Sequence, residues 1–248
     1  MRIILNGYTG RMGKMVQEAV ERTDGFEIVS SAAVNGTEND VLHTHESLDN
    51  VSEEADVVID FSNHLGTKDL MDFCVKHELP VVVCTTGQSE EEKTMIAEAS
   101  ASIPVFFSAN MSLGIAVLSD LVKRAAALFP NADIEIVEMH HNQKLDVPSG
   151  TALMLAESIK EVRSNAVYNI GRHENGKRDI HEIGIHSLRM GNEVGTHTVY
   201  IRTGSECLTL THEAESRAVF ADGALKAAGY LLQQKPGLYT MKDLVGVE

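Results

Sequence analysis

The 248 residues, 43% of them hydrophobic, are enough for one large domain or two smaller ones with a sizeable core. With 36 acids against 21 bases the net charge is -15, which argues against nucleic acid or an anionic membrane surface as the main partner; an anionic ligand would need a locally basic pocket. No apolar stretch approaches transmembrane length, and Cys74, Cys84 and Cys207 form no motif, so a reduced cytoplasmic protein without a metal is the expectation.

The chain opens with Met1-Arg-Ile-Ile-Leu-Asn6, a short apolar run suited to a buried parallel strand. Gly7-Tyr-Thr-Gly10-Arg-Met-Gly13 follows at once. A run of helical spacing comes next, residues 14–22, with Met15, Val16, Ala19 and Val20 on one face. Strand, glycine turn and helix in that order suit a pyrophosphate. Glycines allow a tight turn and close backbone approach, and the helix start offers free amides. Residues 26–34 read as a second strand, whose end meets the adenosine ribose in a dinucleotide fold. Asn35 stands there. It is neutral and bonds either a 2′-hydroxyl or a 2′-phosphate, and Arg11 can reach the latter; NADH or NADPH is therefore the expected cofactor.

Residues 37–55 are polar and read as a connecting segment. Strands at 55–60, 80–84 and 104–107 then alternate with helices at 65–76 and 89–101. This βαβαβ order implies a parallel sheet with helices on both faces, and ligands gather outside the strand ends. Those ends carry Phe61-Ser62, Thr85-Thr86-Gly87 and Ser108-Ala109-Asn110. A long helix at 111–129 links to a second domain. There, strands at 183–189, 195–201 and 206–212 have short connections and read as antiparallel neighbours in an open sheet. Such a sheet has one face to bury, which points to oligomerisation. The last helix, 217–232, carries Ala218, Ala221, Ala224 and Ala228 and returns to the first domain, with the tail 236–245 packing back as well.

One stretch concentrates the chemistry: Glu135-Ile-Val-Glu-Met-His-His-Asn-Gln-Lys-Leu-Asp-Val-Pro-Ser-Gly-Thr151. It begins as a strand, passes through His140, His141, Lys144 and Asp146, and ends at a helix start, Pro148-Ser149-Gly150-Thr151. Helix N–H groups hold a carboxylate or phosphate, and the histidines and lysine supply charge or a proton. The bland reading is that adjacent histidines on a strand face opposite ways and that Pro-Ser-Gly-Thr is an ordinary helix start.

The sequence resembles the 4-hydroxy-tetrahydrodipicolinate reductase (dihydrodipicolinate reductase) family nearly end to end. The resemblance rests on Gly7 to Gly13, Asp60-Phe-Ser62, Thr85-Thr-Gly87, Ala109-Asn-Met-Ser112, Gly237-Leu-Tyr-Thr-Met-Lys-Asp243 and, above all, the string from Glu138 to Ala152. It implies an N-terminal Rossmann dinucleotide-binding domain (1–111, with return of 217–248) and a C-terminal α+β substrate and oligomerisation domain with an open mixed sheet (112–216). It also implies a homotetramer. The implied activity is NAD(P)H-dependent reduction of a small cyclic dicarboxylate in the diaminopimelate route to lysine. By the same resemblance His140 and Lys144 are catalytic, and His141, Gly150 and Thr151 bind substrate. Gly7, Tyr8, Thr9, Gly10, Arg11, Met12, Cys84, Thr85, Thr86, Ser108, Ala109, Asn110 and Met111 contact the cofactor. Asn35 replaces the acid of some members, and Cys84 a frequent glycine. Arg217 can balance further substrate charge. Two other readings stand beside this one: a related two-domain reductase of another small acid, and a nucleotide-binding redox sensor, which would need no proton donor.

Overall fold

The computed structural model describes residues 1–33 and 44–246. The chain divides into two compact units, Met1–Ser112 with Arg217–Glu248, and Leu113–Ser216. The first opens with β1 (Arg2–Asn6), in which Ile3, Ile4 and Leu5 are fully buried. A strand so apolar needs cover on both faces, as in a parallel sheet. After it come α1 (Arg11–Glu21), β2 (Glu27–Ala32), β3 (Thr44–His45), β4 (Val57–Asp60), α2 (Thr67–Lys76), β5 (Val81–Val83), α3 (Glu90–Ala99) and β6 (Pro104–Phe107). Ser89 and Glu92 close a capping box at the start of α3. β3 and a 3-10 turn at Leu48–Asn50 fall inside the segment that the sequence reads as a plain connection. A strand of two residues is too short to show a period.

The second unit runs α4 (Leu113–Leu128), β7 (Asp133–His140), α5 (Gly150–Lys160), β8 (Val167–Ile170), β9 (Glu182–Arg189), β10 (Thr196–Arg202) and β11 (Cys207–Glu213). Its sheet has the order β11-β10-β7-β9-β8. Of the expected antiparallel neighbours, β10 and β11 are adjacent, but β9 and β10 are not, which corrects that pairing. β10 pairs antiparallel with β11 and with β7, but β7 lies between β10 and β9 and runs parallel to β9. Residues 190–195 have only to cross two strand spacings, roughly 10 Å. The inserted strand is the one whose Ile134 and Ile136 are fully buried. β8, which the sequence reading omits, is an edge strand with Val167 and Ile170 exposed. Ile134, Ile136, Ile183, Ile185, Val199 and Ile201 form a core with Leu118 and Val122 of α4 and Leu155 and Ile159 of α5.

The chain then returns to the first unit with α6 (Ala218–Leu231), β12 (Gly237–Tyr239) and α7 (Met241–Val245). The alanines of α6, with Gly223, let it pack closely on α1 and on β4, β5 and β6. β12 adds to the edge of β6, completing the order β12-β6-β5-β4-β1-β2-β3. All these pairs are parallel, so the strand ends emerge along one edge. The strand order reverses beside β1, and doubly wound sheets bind ligands at that point.

Candidate active site

In the second unit, the site is an interruption of the core. Side chains alternate along a strand, so residues 134, 136, 138 and 140 of β7 share one face. The first two are isoleucines of the core; the last two are Glu138 and His140, both buried. Register sets Glu138 opposite Ser187 of β9 and His197 of β10, and His140 opposite Arg189. A polar layer thus occupies the end of an apolar face. Its centre is the Glu138 carboxylate. Oε2 lies 2.5 Å from His140 Nδ1 and accepts from Arg189 Nη1 at 2.8 Å. Oε1 accepts from Arg189 Nη2 at 2.8 Å and from the Ser149 N–H at 3.1 Å. Burial pushes this carboxyl up, but the His140 and Arg189 hydrogen bonds overcome it and hold the group well below the usual range.

Ser149 caps α5, its hydroxyl accepting from the Ala152 N–H at 3.1 Å and lying 3.0 Å from His197 Nε2. The His197 ring stands edge-on to His140, centroids 5.1 Å apart. Burial, followed by the His140 charge, pushes His197 down to about 3, so it is neutral near pH 7. Gly150 and Thr151 are the first residues of α5, with N–H groups that lack intrahelical acceptors. His141 turns the other way, half-buried, its N–H donating to the Glu193 carbonyl at 2.8 Å. Lys144 follows in the turn; its N–H donates to the His141 carbonyl at 3.1 Å, and its ammonium pairs with Asp146 at 2.9 Å. Arg189 Nη2 also donates to the Asp146 carbonyl at 2.7 Å, tying this turn to β9. Glu138, Ser149, Arg189 and His197 are absent from the site that the sequence reading assembles. Parity with Ile134 and Ile136 was the available signal for Glu138, because a carboxylate on a core face needs a cation.

In the first unit, the glycine turn joins β1 to α1. Gly7 has φ +86°, and a Cβ there would meet the Phe61 carbonyl oxygen at 2.5 Å. A Cβ on Gly13 would lie 2.4 Å from the Gly7 oxygen. Gln17 Nε2 fastens the turn, donating to the carbonyls of Tyr8 at 3.0 Å and Gly13 at 3.2 Å. Gly10 caps α1 with no side-chain acceptor, and the first turn holds no acid. These features fit an anionic pyrophosphate on the open N–H groups. A cleft of about 660 Å³ beside them is lined by Gly7, Thr9, Gly10, Ala33, Leu48 and Ser62, among others. Arg11 and Met12 lie in the first turn of α1; Asn35 lies outside the described residues.

The other strand ends reach the same edge. Asp60, buried at the end of β4, accepts from Asn6 Nδ2 (2.8 Å), Ser62 Oγ (2.5 Å) and Thr85 Oγ1 (2.6 Å). Burial raises its pKa. Cys84 and Thr85 are buried after β5 and Thr86 is exposed; Ser108, Ala109 and Asn110 follow β6, ending at the buried Met111. Burial, with Asp60 adding to it, pushes the Cys84 thiol well above its ordinary value, and the Cys84 N–H donates to the Asp60 carbonyl at 2.9 Å.

A doubly wound sheet with this turn in one unit, and a held histidine and a helix start in the other, define a dinucleotide-dependent oxidoreductase. Residues 1–111 match the model for the N-terminus of dihydrodipicolinate reductase, and residues 114–245 that for its C-terminus; the chain belongs to the dihydrodipicolinate reductase family. It is 49% identical to 4-hydroxy-tetrahydrodipicolinate reductase of Caldanaerobacter subterraneus subsp. tengcongensis, over 99% of this chain and 98% of that protein. Identity to the protein of that name from Clostridium novyi is 44%, over 98% of each. Among solved structures, dipicolinate-bound dihydrodipicolinate reductase from Paenisporosarcina sp. TG-14 shares the fold, with TM-score 0.82, 24% identity and 97% of each chain covered.

Proposed function

We propose that this chain reduces 4-hydroxy-tetrahydrodipicolinate, by way of the dihydrodipicolinate formed when its hydroxyl leaves as water, to tetrahydrodipicolinate with NADH or NADPH, in the diaminopimelate route to lysine. The observation that carries the reading is the polar layer at the end of β7, where His140 is held by Glu138 next to the start of α5. The unit Met1–Ser112 with Arg217–Glu248 binds the dinucleotide on Gly7 to Met12 and on the main chain of 84–86 and 108–111. The reduced nicotinamide supplies the hydride. The unit Leu113–Ser216 binds the cyclic dicarboxylate: the N–H groups of Gly150 and Thr151 and the Thr151 hydroxyl seat one carboxylate, and His141 faces further charge. Negative charge grows on the ring as the double bond is reduced. The Lys144 ammonium exchanges Asp146 for the substrate and stabilises that charge, while His140 delivers the proton. Arg217, at the N-cap of α6, is assigned no step.

We also propose a homotetramer. The face of the second sheet opposite its helices opens as a groove of about 620 Å³ lined by Glu135, Arg178, His186, Tyr200, Arg202 and Cys207, among others. Three free cysteines support a reducing compartment, the cytoplasm. The test of the activity is a coupled assay in which fresh product of dihydrodipicolinate synthase is offered with reduced nicotinamide. Oxidation of the nicotinamide dependent on both is expected; a rate no greater than the enzyme-free control overturns the reading.

A further inference from the structure

The Glu138 carboxylate divides its partners by oxygen. Oε2 takes the histidine, and Oε1 takes the main chain of the residue that caps α5. Arg189 spans both oxygens with two parallel N–H bonds, which fixes the plane of the carboxylate as well as its charge. We propose that Glu138 is a positioning residue that sets the tautomer of His140 and, through Ser149, the place of the α5 start, so that one carboxylate holds proton donor and carboxylate seat in register. The proposal rests on the reading of His140 as donor and of Gly150 and Thr151 as seat.

The tautomer follows from hydrogen-bond inventory. An ionised carboxylate only accepts, so His140 Nδ1 must carry the hydrogen. The neutral ring then has a bare Nε2, and the proton it gains there is the one to be given away. Nε2 faces Gly195, where an added Cβ would stand 3.0 Å from it. A hydrogen on that α-carbon leaves the nitrogen room that a methyl would take. The charges around the ring come from four elements: Glu138 on β7, Lys144 and Asp146 in the turn after it, Arg189 on β9, and His197 on β10. His197 is neutral, and His212 of β11 acts on His197.

Two measurements test this. In wild-type protein labelled with ¹⁵N-histidine, the neutral His140, assigned by its loss in His140→Gln, should be the Nδ1–H tautomer. In Glu138→Gln, with folding checked by circular dichroism, kcat should fall about 10²-fold, KM for the dicarboxylate should rise, and Kd for NADH should stay unchanged. The amide of Glu138→Gln no longer requires a hydrogen on Nδ1, so the Nδ1–H share of neutral His140 should fall in the variant. An Nε2–H tautomer in the wild type, or a tautomer ratio in the variant equal to that of the wild type, overturns the proposal. A wild type inactive with the dicarboxylate would remove the functional reading, and the tautomer would still decide the role of Glu138.

Discussion

Each unit buries one carboxylate at the ligand end of its sheet, and the two are held in opposite ways. Asp60 is surrounded by uncharged donors, from Asn6, Ser62 and Thr85, and burial raises its pKa. Glu138 is surrounded by Arg189, His140 and a helix-start amide, and its pKa lies well below the usual range. Uncharged donors make a staple: Asp60 ties the ends of β1 and β4 to the residues after β5. A cationic donor does something else: Arg189 keeps Glu138 ionised, and an ionised carboxylate can only accept from His140 Nδ1 and the Ser149 N–H.

The largest effect should come from removing the cation nearest the reaction. Lys144→Met should lower kcat by at least ~10²-fold and raise KM for the dicarboxylate, while leaving NADH affinity unchanged. Steady-state kinetics beside an NADH titration checks this, and weakened NADH binding would break the division of labour. Asp60→Asn strikes the staple. Asn6 Nδ2 and the Ser62 N–H both donate to Oδ1, so the new amide keeps its oxygen there and turns its NH₂ to Thr85 Oγ1; the buried Thr85 hydroxyl then loses its acceptor, at a cost of about 1–3 kcal/mol. KM for NADH should rise and the melting temperature fall, with kcat at saturation near that of wild type; a collapse of kcat alone would place Asp60 in the chemistry.

The smallest effect is in acid. The folded value of His197, about 3, lies below its ordinary 6.5. Between those values the unfolded chain binds more protons, so stability rises with pH and is lost on acidification from about 6.5 downwards. The depressed Glu138 adds loss of the same sign only below the carboxylate range. From about pH 7 to about pH 5, His197 alone should cost about 1–2 kcal/mol. His197→Asn should flatten that part of the urea-midpoint profile, and an unchanged slope would show that His197 is protonated in the folded state.

The same contrast explains what was legible in the sequence. The glycine turn and the string from Glu138 to Thr151 were visible because both are contiguous: spacing states the turn, and composition states the cluster. The partners of Glu138 were hidden because they arrive by pairing. Arg189 and His197 lie far along the chain and meet Glu138 only once β7 has inserted between β9 and β10. Reading β9 and β10 as neighbours removes the strand that joins them to the site. Asp60 was quoted for its place at a strand end, but its bonds to Asn6 and Thr85 depend on strand order in the same way.

The return of the chain also bears on how the protein is made. When ribosomal synthesis has passed Ser112, β6 still lacks β12 at its edge, and the surfaces of α1, β4, β5 and β6 that α6 will cover are bare. Leu113–Ser216, by contrast, is continuous in sequence and carries its own core. The later-made unit is therefore the first that can close, while the nucleotide-binding half waits with an open strand edge for its last segment. A nascent chain stalled between residues 112 and 217 exposes an edge that another chain can pair with, which makes this interval the one that chaperones must guard.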